Sequence, residues 1–177
     1  MSAQAVADEA VEFDAEVERA VERAIARNIP GLNLPKTESE LDVGPTPKEL
    51  IFSKDTVRLY HYHPMVDEIY RVPVLIVMSP VAKGYILDLA KGQSFIEYFL
   101  LQGHDVYMID WAGPTRKQSK LNLADYAINM LDGCVQAVLE DSGEPDLTLI
   151  GYCMGGMLSS IYTALNPDGA VKNLACF

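Results

Sequence analysis

Hydrophobic residues change their spacing along the chain, and this change divides the chain into two regions. In the first 28 residues, apolar side chains recur at helical spacing opposite acidic ones, and Pro30 and Gly31 end the pattern. Residues 31–53 are polar and rich in proline, which is typical of a linker or an irregular wrap. We therefore predict an N-terminal helix with an irregular wrap over 1–53 and a separate domain over 54–177.

From residue 54 onward, short apolar runs alternate with amphipathic segments. The predicted strands are Val57–Tyr62, Val72–Met78, Asp105–Asp110 and Leu147–Ile150, with another beginning near Val171. The predicted helices are Ser94–Leu101, Leu123–Leu139 and Met157–Leu165. Alternation of this kind implies right-handed crossovers and an α/β fold with a mostly parallel sheet. Functional groups then belong at the carboxyl ends of the strands.

The most informative motif is the hexapeptide Gly-Tyr-Cys-Met-Gly-Gly at 151–156, between a predicted strand and a predicted helix. It matches the sharp G-x-nucleophile-x-G turn of hydrolytic enzymes, with cysteine in place of the usual serine. Glycines flank such a turn because side chains there would collide with the strand and the helix. We interpret Cys153 as a nucleophile at a helix N-terminus, where the thiolate is favoured. The alternative is a glycine-rich turn with a buried, inert cysteine.

A nucleophile that attacks a carbonyl group needs backbone donors for the oxyanion that forms. The amide of Met154, the residue after the nucleophile, is the first candidate. The second should come from the loop 79–84, which follows the strand Val72–Met78. Pro80 has no N–H, so the amide of Val81 is the best candidate in that loop. The alternative is that the loop only connects strand to helix.

Other polar residues fit structural roles better. His104 lies at a helix-to-strand junction on the wrong edge of the sheet, and His61 and His63 are interpreted as a solvated pair rather than metal ligands. For Asp110, at the carboxyl end of a strand, the alternatives are to line a pocket or to orient a loop through hydrogen bonds, and we expect the second. Asp125 is expected to cap a helix or lie at the surface.

The composition indicates the cellular compartment and excludes some classes of binding partner. The three cysteines lack the spacing of a disulfide framework, which favours a reduced compartment. We expect Cys134 to lie in the core, and Cys176 to be inert in a strand that is internal in a complete domain. The acidic N-terminus is unlike a signal peptide, and no apolar run reaches the ~20 residues that span a bilayer. A net charge of −11 argues against binding to nucleic acid or anionic lipid. The expected location is cytoplasmic.

The region from Thr46 to Leu174 resembles the catalytic subunit of class III poly(3-hydroxyalkanoate) synthases, members of the α/β-hydrolase superfamily. The resemblance rests on the segments 85–89, 102–107, 109–111, 123–126, 151–156 and 162–168. A cysteine in a lipase-like motif is the most specific of these elements. The long N-terminal domain of class I synthases has no counterpart here, which favours class III.

The resemblance implies a cysteine acyltransferase that polymerises (R)-3-hydroxyacyl-CoA into a polyester and releases CoA, without metal or cofactor. In the family a histidine activates the cysteine, and an aspartate helps the 3-hydroxyl of the chain to attack. The implied partners are the acyl-CoA, the growing polyester, a second synthase subunit and further copies of the chain. The implied location is the surface of polyester granules in the cytoplasm.

The position of the histidines complicates this interpretation. The family order places the catalytic acid and histidine after the nucleophile, whereas His61, His63 and His104 all precede Cys153. We therefore interpret the chain as the N-terminal part of a catalytic domain, truncated after the nucleophile helix and the start of the next strand, and expect it to be inactive alone. The alternatives are a non-catalytic fragment, pseudoenzyme or interaction module, and a cysteine hydrolase similar to dienelactone hydrolase.

Overall fold

A computed structural model describes residues 43–113 and 116–177 of the chain. The predicted N-terminal helix therefore lies outside the described residues. The compact unit that carries the sheet extends from residue 42 to residue 177.

Six strands form one sheet in the order β1-β2-β4-β3-β5-β6. The strands are β1 (Lys48–Lys54), β2 (Val57–Tyr62), β3 (Val74–Val77), β4 (Val106–Trp111), β5 (Leu147–Gly151) and β6 (Val171–Cys176). β2 pairs antiparallel with β1 and β4, whereas β3, β4, β5 and β6 run parallel to one another. The predicted α/β fold with a mostly parallel sheet is confirmed.

Three α-helices connect the parallel strands: α1 (Phe95–Leu101), α2 (Leu131–Ser142) and α3 (Met154–Leu165). Short 3-10 helices span Gly84–Leu87 and Arg116–Gln118, and a π-helix spans Asp125–Met130. The predicted helix over Leu123–Leu139 is confirmed, with the difference that Asp125–Met130 take the π form. The apolar pattern cannot separate the wider π turn from an α turn, because both bury one face, here through Ala127 and Met130.

The prediction of an irregular segment over 31–53 is wrong for 48–53, because β1 occupies these residues and pairs with β2. A bulge between Leu50 and Phe52 shifts the register and interrupts the alternation of apolar and polar positions. β1 is also an edge strand, with four of its seven residues exposed and the other three partly buried. Both features remove the period-two pattern by which a strand is predicted from sequence.

The strand order places a switch point at one edge of the sheet. β4 and β5 lie on opposite sides of β3, so right-handed crossovers place α1 on one face and α2 and α3 on the other. The chain therefore leaves the neighbouring strands β3 and β5 towards opposite faces. Such a switch point opens a crevice outside the carboxyl ends of the two strands, which is where α/β proteins bind ligands. All four residues of β3 are buried, so the crevice lies above a solid core.

Candidate functional site

The turn between β5 and α3 lies at this crevice and has the strained form predicted for a nucleophile. β5 ends at Gly151 and α3 begins at Met154, so Tyr152 and Cys153 make the whole reversal. Cys153 has φ 54° and ψ −121°, and with Asp55 it is one of two non-glycine residues with positive φ among those described. A side chain held in this region costs on the order of 1–3 kcal/mol, which the surrounding structure must offset. Cys153 is also exposed, whereas the alternative interpretation required a buried cysteine.

Two glycines allow the turn to be this tight. A Cβ on Gly151 would overlap Gly156, and a Cβ on Gly155 would overlap the carbonyl oxygen of Val77 in β3. The Tyr152 N–H donates to that same Val77 carbonyl over 3.0 Å. The start of α3 therefore packs directly on the backbone of β3, and only glycine fits between them.

The end of the chain also holds the turn. The Cys153 N–H donates to the Phe177 carbonyl over 2.7 Å, and the Phe177 N–H donates to the Gly151 carbonyl over 3.1 Å. The rings of Tyr152 and Phe177 meet edge to face with centroids 5.3 Å apart. These contacts fix the backbone of the turn. Within the described residues the Cys153 side chain makes no capping hydrogen bond to α3, and its sulfur is exposed.

The two predicted oxyanion donors flank this crevice. Met154 is the first residue of α3, and the N–H groups of a first helical turn have no partner within the helix. Val81 is 80% exposed in the loop that follows β3, and its N–H lies 3.4 Å from Ser79 Oγ. Val77 and Gly151 are direct partners in the sheet, so this loop and the turn at Cys153 leave the same edge. The role of both amides remains a prediction.

Side chains from the end of β4 hold the loop 79–84. Asp110 Oδ1 accepts a hydrogen bond from the Gly84 N–H over 3.0 Å, which confirms the loop-orienting role predicted for Asp110. The Trp111 Nε1–H donates to the Met78 carbonyl over 2.7 Å. This second contact was not predicted from sequence. A buried tryptophan usually donates its N–H to an acceptor, so the position of Trp111 at the end of an apolar strand is the signal for such a contact.

Comparison with family models agrees with this geometry. Residues 84–176 match the model of the α/β-hydrolase fold. The chain belongs to the α/β-hydrolase family. Residues 33–99 match a second family model, the N-terminus of poly-beta-hydroxybutyrate polymerase (PhaC).

Curated relatives confirm the resemblance to poly(3-hydroxyalkanoate) synthases. The chain is 43% identical over 139 residues to the poly(3-hydroxyalkanoate) polymerase subunit PhaC of Haloferax mediterranei, a match that covers 78% of the chain and 28% of the relative. It is 42% identical over 147 residues to the same subunit of Synechocystis, with 83% of the chain and 38% of the relative covered. The chain thus spans well under half the length of these relatives.

Solved structures agree on the fold alone. A probable hydrolytic enzyme from Pseudomonas aeruginosa is similar with a TM-score of 0.54 and 19% identity, over 77% of this chain and 42% of that one. Epoxide hydrolase A from Mycobacterium thermoresistibile is similar with a TM-score of 0.51 and 18% identity, over 74% of this chain and 38% of that one. At this level of identity the activities of the neighbours do not transfer.

His61 lies at the opposite edge of the sheet from Cys153, and the interpretation of it as part of a solvated pair is wrong. Its Nε2 lies 2.8 Å from Asp105 Oδ1, its Nδ1 lies 2.9 Å from Asp141 Oδ2, and its ring stacks on Tyr107 at 4.1 Å. Burial lowers the pKa of His61, but the hydrogen bond and charge of Asp105 and the charges of Asp141 and Glu49 raise it above the usual value overall. Both aspartates are remote in sequence, so strand periodicity could not reveal them.

The other two histidines also lie away from Cys153. His104 packs between the rings of Tyr70 and Phe99, each with its centroid 5.1 Å away, which confirms its structural role. His63 follows the end of β2 and is exposed. Because β2 is antiparallel to β4, His61, His63 and His104 all lie towards the amino ends of the parallel strands. Cys153 lies at the carboxyl ends.

The remaining predicted residues have ordinary roles. Asp125 accepts hydrogen bonds from the Asn122 N–H and from Asn129 Nδ2, as expected of a capping residue. Cys134 is in the core, where burial raises the pKa of its thiol to about 12. Cys176 is exposed on β6 with its Sγ 3.6 Å from the Gly156 carbonyl, and its inertness remains a prediction.

No three His, Cys, Asp or Glu side chains within 43–113 and 116–177 group into a site that could hold a metal ion. Among the helices described there, none is both long and apolar enough to span a bilayer. That the reaction needs no metal or cofactor remains a prediction.

Proposed function

We propose that this chain carries the nucleophile of a polyhydroxyalkanoate synthase, and that Cys153 accepts the acyl group of (R)-3-hydroxyacyl-CoA. The observation that carries the proposal is the exposed Cys153 at positive φ in the turn that ends β5. The similarity to poly(3-hydroxyalkanoate) polymerase subunits supports the choice of substrate.

The chemistry favours a sulfur nucleophile. The Cys153 thiolate attacks the thioester carbonyl, a new C–S bond forms, the bond to the CoA sulfur breaks, and CoA leaves as its thiolate. One thioester replaces another, so the acyl group stays activated for attack by the 3-hydroxyl of a second acyl unit. Serine would form an oxygen ester, which is a poorer acyl donor.

The tetrahedral intermediate carries a negative oxygen that needs hydrogen-bond donors. We assign the backbone amides of Met154 and Val81 to this role, because they come from the two chain segments that border the crevice. Each such donor is worth on the order of 10²–10³ in rate in enzymes where it has been removed.

Among the described residues, no histidine lies at the edge of the sheet where Cys153 would have to give up its proton. The resemblance implies a histidine that activates the cysteine and an aspartate that assists the 3-hydroxyl. His61 is held by Asp105 and Asp141, and all three histidines lie at the other edge of the sheet. We therefore expect acylation of the 177-residue chain to be slow at neutral pH and polymerisation by the chain alone to be absent.

The partners follow from the same similarity. We propose a class III arrangement in which the chain acts with a second synthase subunit and further copies of itself, at the surface of polyester granules in the cytoplasm. The acyl-CoA and the growing polyester are its ligands, and the proposed reaction uses no metal or cofactor.

Labelled substrate tests the proposal. The purified chain is incubated with radiolabelled (R)-3-hydroxybutyryl-CoA at a pH of about 9, where an ordinary cysteine thiol is largely ionised without a base. We expect close to one retained acyl group per chain, none in Cys153→Ala, and full retention in the matched control Cys134→Ser. Release of CoA and free hydroxy acid without retained label would favour a hydrolase. Equal labelling of Cys153→Ala would favour a non-catalytic module.

A further inference from the structure

Two consecutive residues at the end of β4 hold both ends of the loop 79–84. The Trp111 Nε1–H donates to the carbonyl of Met78, directly before the loop, over 2.7 Å. Asp110 Oδ1 accepts from the N–H of Gly84, at the end of the loop, over 3.0 Å. Consecutive strand residues point to opposite faces of a sheet, so the two anchors reach the loop from different sides.

The two hydrogen bonds, from Trp111 to Met78 and from Gly84 to Asp110, lie where the loop ends have little room to move. Trp111 is 3% exposed, and its hydrogen bond to Met78 is buried. Gly84 is buried as well, and a Cβ on it would lie 2.9 Å from Met108 Cε and 3.1 Å from Asp110 Cγ. The ends of the loop are therefore set by hydrogen bonds in a closely packed environment.

The backbone amide of Val81 lies in the loop between these two hydrogen bonds. The Ala82 N–H donates to the Ser79 carbonyl over 3.0 Å, which closes a turn around Pro80 and Val81. The Val81 N–H is 3.4 Å from Ser79 Oγ, longer than the usual 2.7–3.2 Å of a protein hydrogen bond. A charged oxygen would compete well with this weak contact, because hydrogen bonds to charged groups are shorter and stronger.

We propose that Asp110 and Trp111 are positioning residues for acyl transfer, which fix the loop 79–84 so that the Val81 amide can donate to the oxyanion formed at Cys153. This inference rests on the proposed function. Neither side chain is assigned contact with the substrate. Their effect passes through the backbone that they hold.

A comparison of two reactions at the same sulfur separates positioning from fold stability. Acylation by (R)-3-hydroxybutyryl-CoA forms a tetrahedral oxyanion, whereas alkylation by iodoacetamide displaces iodide and forms none. Cys176 is a second exposed thiol, so every variant carries Cys176→Ser and both reactions are then followed at the exposed Cys153 thiolate. The ratio of the acylation rate to the alkylation rate therefore reports on oxyanion stabilisation and is insensitive to thiol ionisation and exposure.

The variants follow from the two hydrogen bonds. Trp111→Phe keeps an aromatic ring but loses the N–H donor, and Asp110→Leu loses the acceptor. Asp110→Asn keeps an acceptor oxygen and serves as the conservative rescue. Tyr107→Phe is the matched control, because it removes one hydrogen bond, to Asp141 over 2.9 Å, at the other edge of the sheet. Rates are measured at a pH of about 9 on the full chain.

We expect the ratio to fall about tenfold in Trp111→Phe and in Asp110→Leu, and to stay near the wild-type value in Asp110→Asn and Tyr107→Phe. Should Trp111→Phe fail to fold, Asp110→Leu and Asp110→Asn decide the question. Unchanged ratios in folded variants, or equal losses in Tyr107→Phe, overturn the positioning role while the proposed function stands. A wild-type chain that is alkylated but never acylated overturns both.

Discussion

Gly155 of α3 lies against Val77 of β3 so closely that a single added methyl group would overlap the Val77 carbonyl oxygen. The same carbonyl accepts the Tyr152 N–H over 3.0 Å. One backbone oxygen thus sets both the position of α3 and the turn that presents Cys153. Backbone packing therefore places Cys153, and adding even one methyl group at this contact should disturb its geometry.

Gly155→Ala should displace α3 from β3. The neighbouring atoms are backbone and cannot move aside, so we expect a loss of about 3 kcal/mol or more in the free energy of unfolding. Gly113→Ala is the control, since a Cβ there meets no atom within 4 Å, and it should change stability by less than about 0.5 kcal/mol. Chemical denaturation measures both. Equal stability of the two variants would show that α3 does not pack on β3 in this way.

His61 should make stability depend on pH. Its folded pKa is raised above the usual value by the hydrogen bond and charge of Asp105 and by the charges of Asp141 and Glu49, against the lowering effect of burial. A raised folded pKa means that the folded state holds the proton more tightly. The stabilisation is then fully present below the unfolded pKa of about 6.5 and is lost as pH rises through the folded pKa.

The measurement compares the free energy of unfolding of wild type and His61→Gln from about pH 5.5 to pH 9. The free energy of unfolding of the wild type should exceed that of His61→Gln by less and less as pH rises through this range. Because the variant retains every other titratable group, the difference between the two curves isolates His61. Parallel curves, or a difference in the free energy of unfolding that grows with pH, would contradict a raised pKa for His61.

A buried carboxylate supports the segment before β1. Asp88 is fully buried and accepts hydrogen bonds from the Thr46 N–H, the Thr46 hydroxyl and the Ser94 hydroxyl, at 3.1, 2.7 and 2.7 Å. Asp88→Asn would turn an amide donor towards one of these donors, so we expect a loss of about 2–3 kcal/mol. Asp67→Asn, at an exposed loop position, should cost less than about 0.5 kcal/mol. If Asp88→Asn and Asp67→Asn unfold at the same denaturant concentration, Asp88 does not have this role.

The three cysteines should respond differently to serine. Cys134 is in the core, so its hydroxyl variant should lose about 1–3 kcal/mol of stability and keep the reactivity of Cys153. Cys176 is exposed, so Cys176→Ser should change stability little. Cys153→Ser should keep the fold and lose most acylation, because a hydroxyl is far less ionised than a thiol. Thermal unfolding measures the stability of the three variants, and retained labelled acyl groups measure their acylation. Loss of acylation in Cys134→Ser would contradict the scheme.

The parts of this structure that could be predicted from sequence are local in the chain. The strand before Gly151, the glycines and the helix after Met154 are contiguous, so the turn at Cys153 was evident from the residues themselves. β1 was missed because a bulge near Leu50 and its edge position remove the alternation that identifies strands.

Contacts between distant residues set the limit of prediction at the site. His61 meets Asp105 across 44 positions, and the alternation of β2 shows only that His61 faces one side. Trp111 reaches Met78 across 33 positions in a contact that depends on β3 and β4 being neighbours. Sequence patterns specify which residues share a face, whereas the partner across the sheet depends on the strand order.

The central claim is that Cys153 accepts the acyl group, and mapping the site of labelling tests it most directly. Trypsin alone would leave Cys134 and Cys153 on one peptide, because no Lys or Arg lies between residues 121 and 171. Cleavage after Glu140 and Lys172 separates the three cysteines onto the peptides 121–140, 141–172 and 173–177. After incubation with radiolabelled (R)-3-hydroxybutyryl-CoA, the label should lie on 141–172. Label on either of the other peptides, with none on 141–172, would contradict the assignment of Cys153.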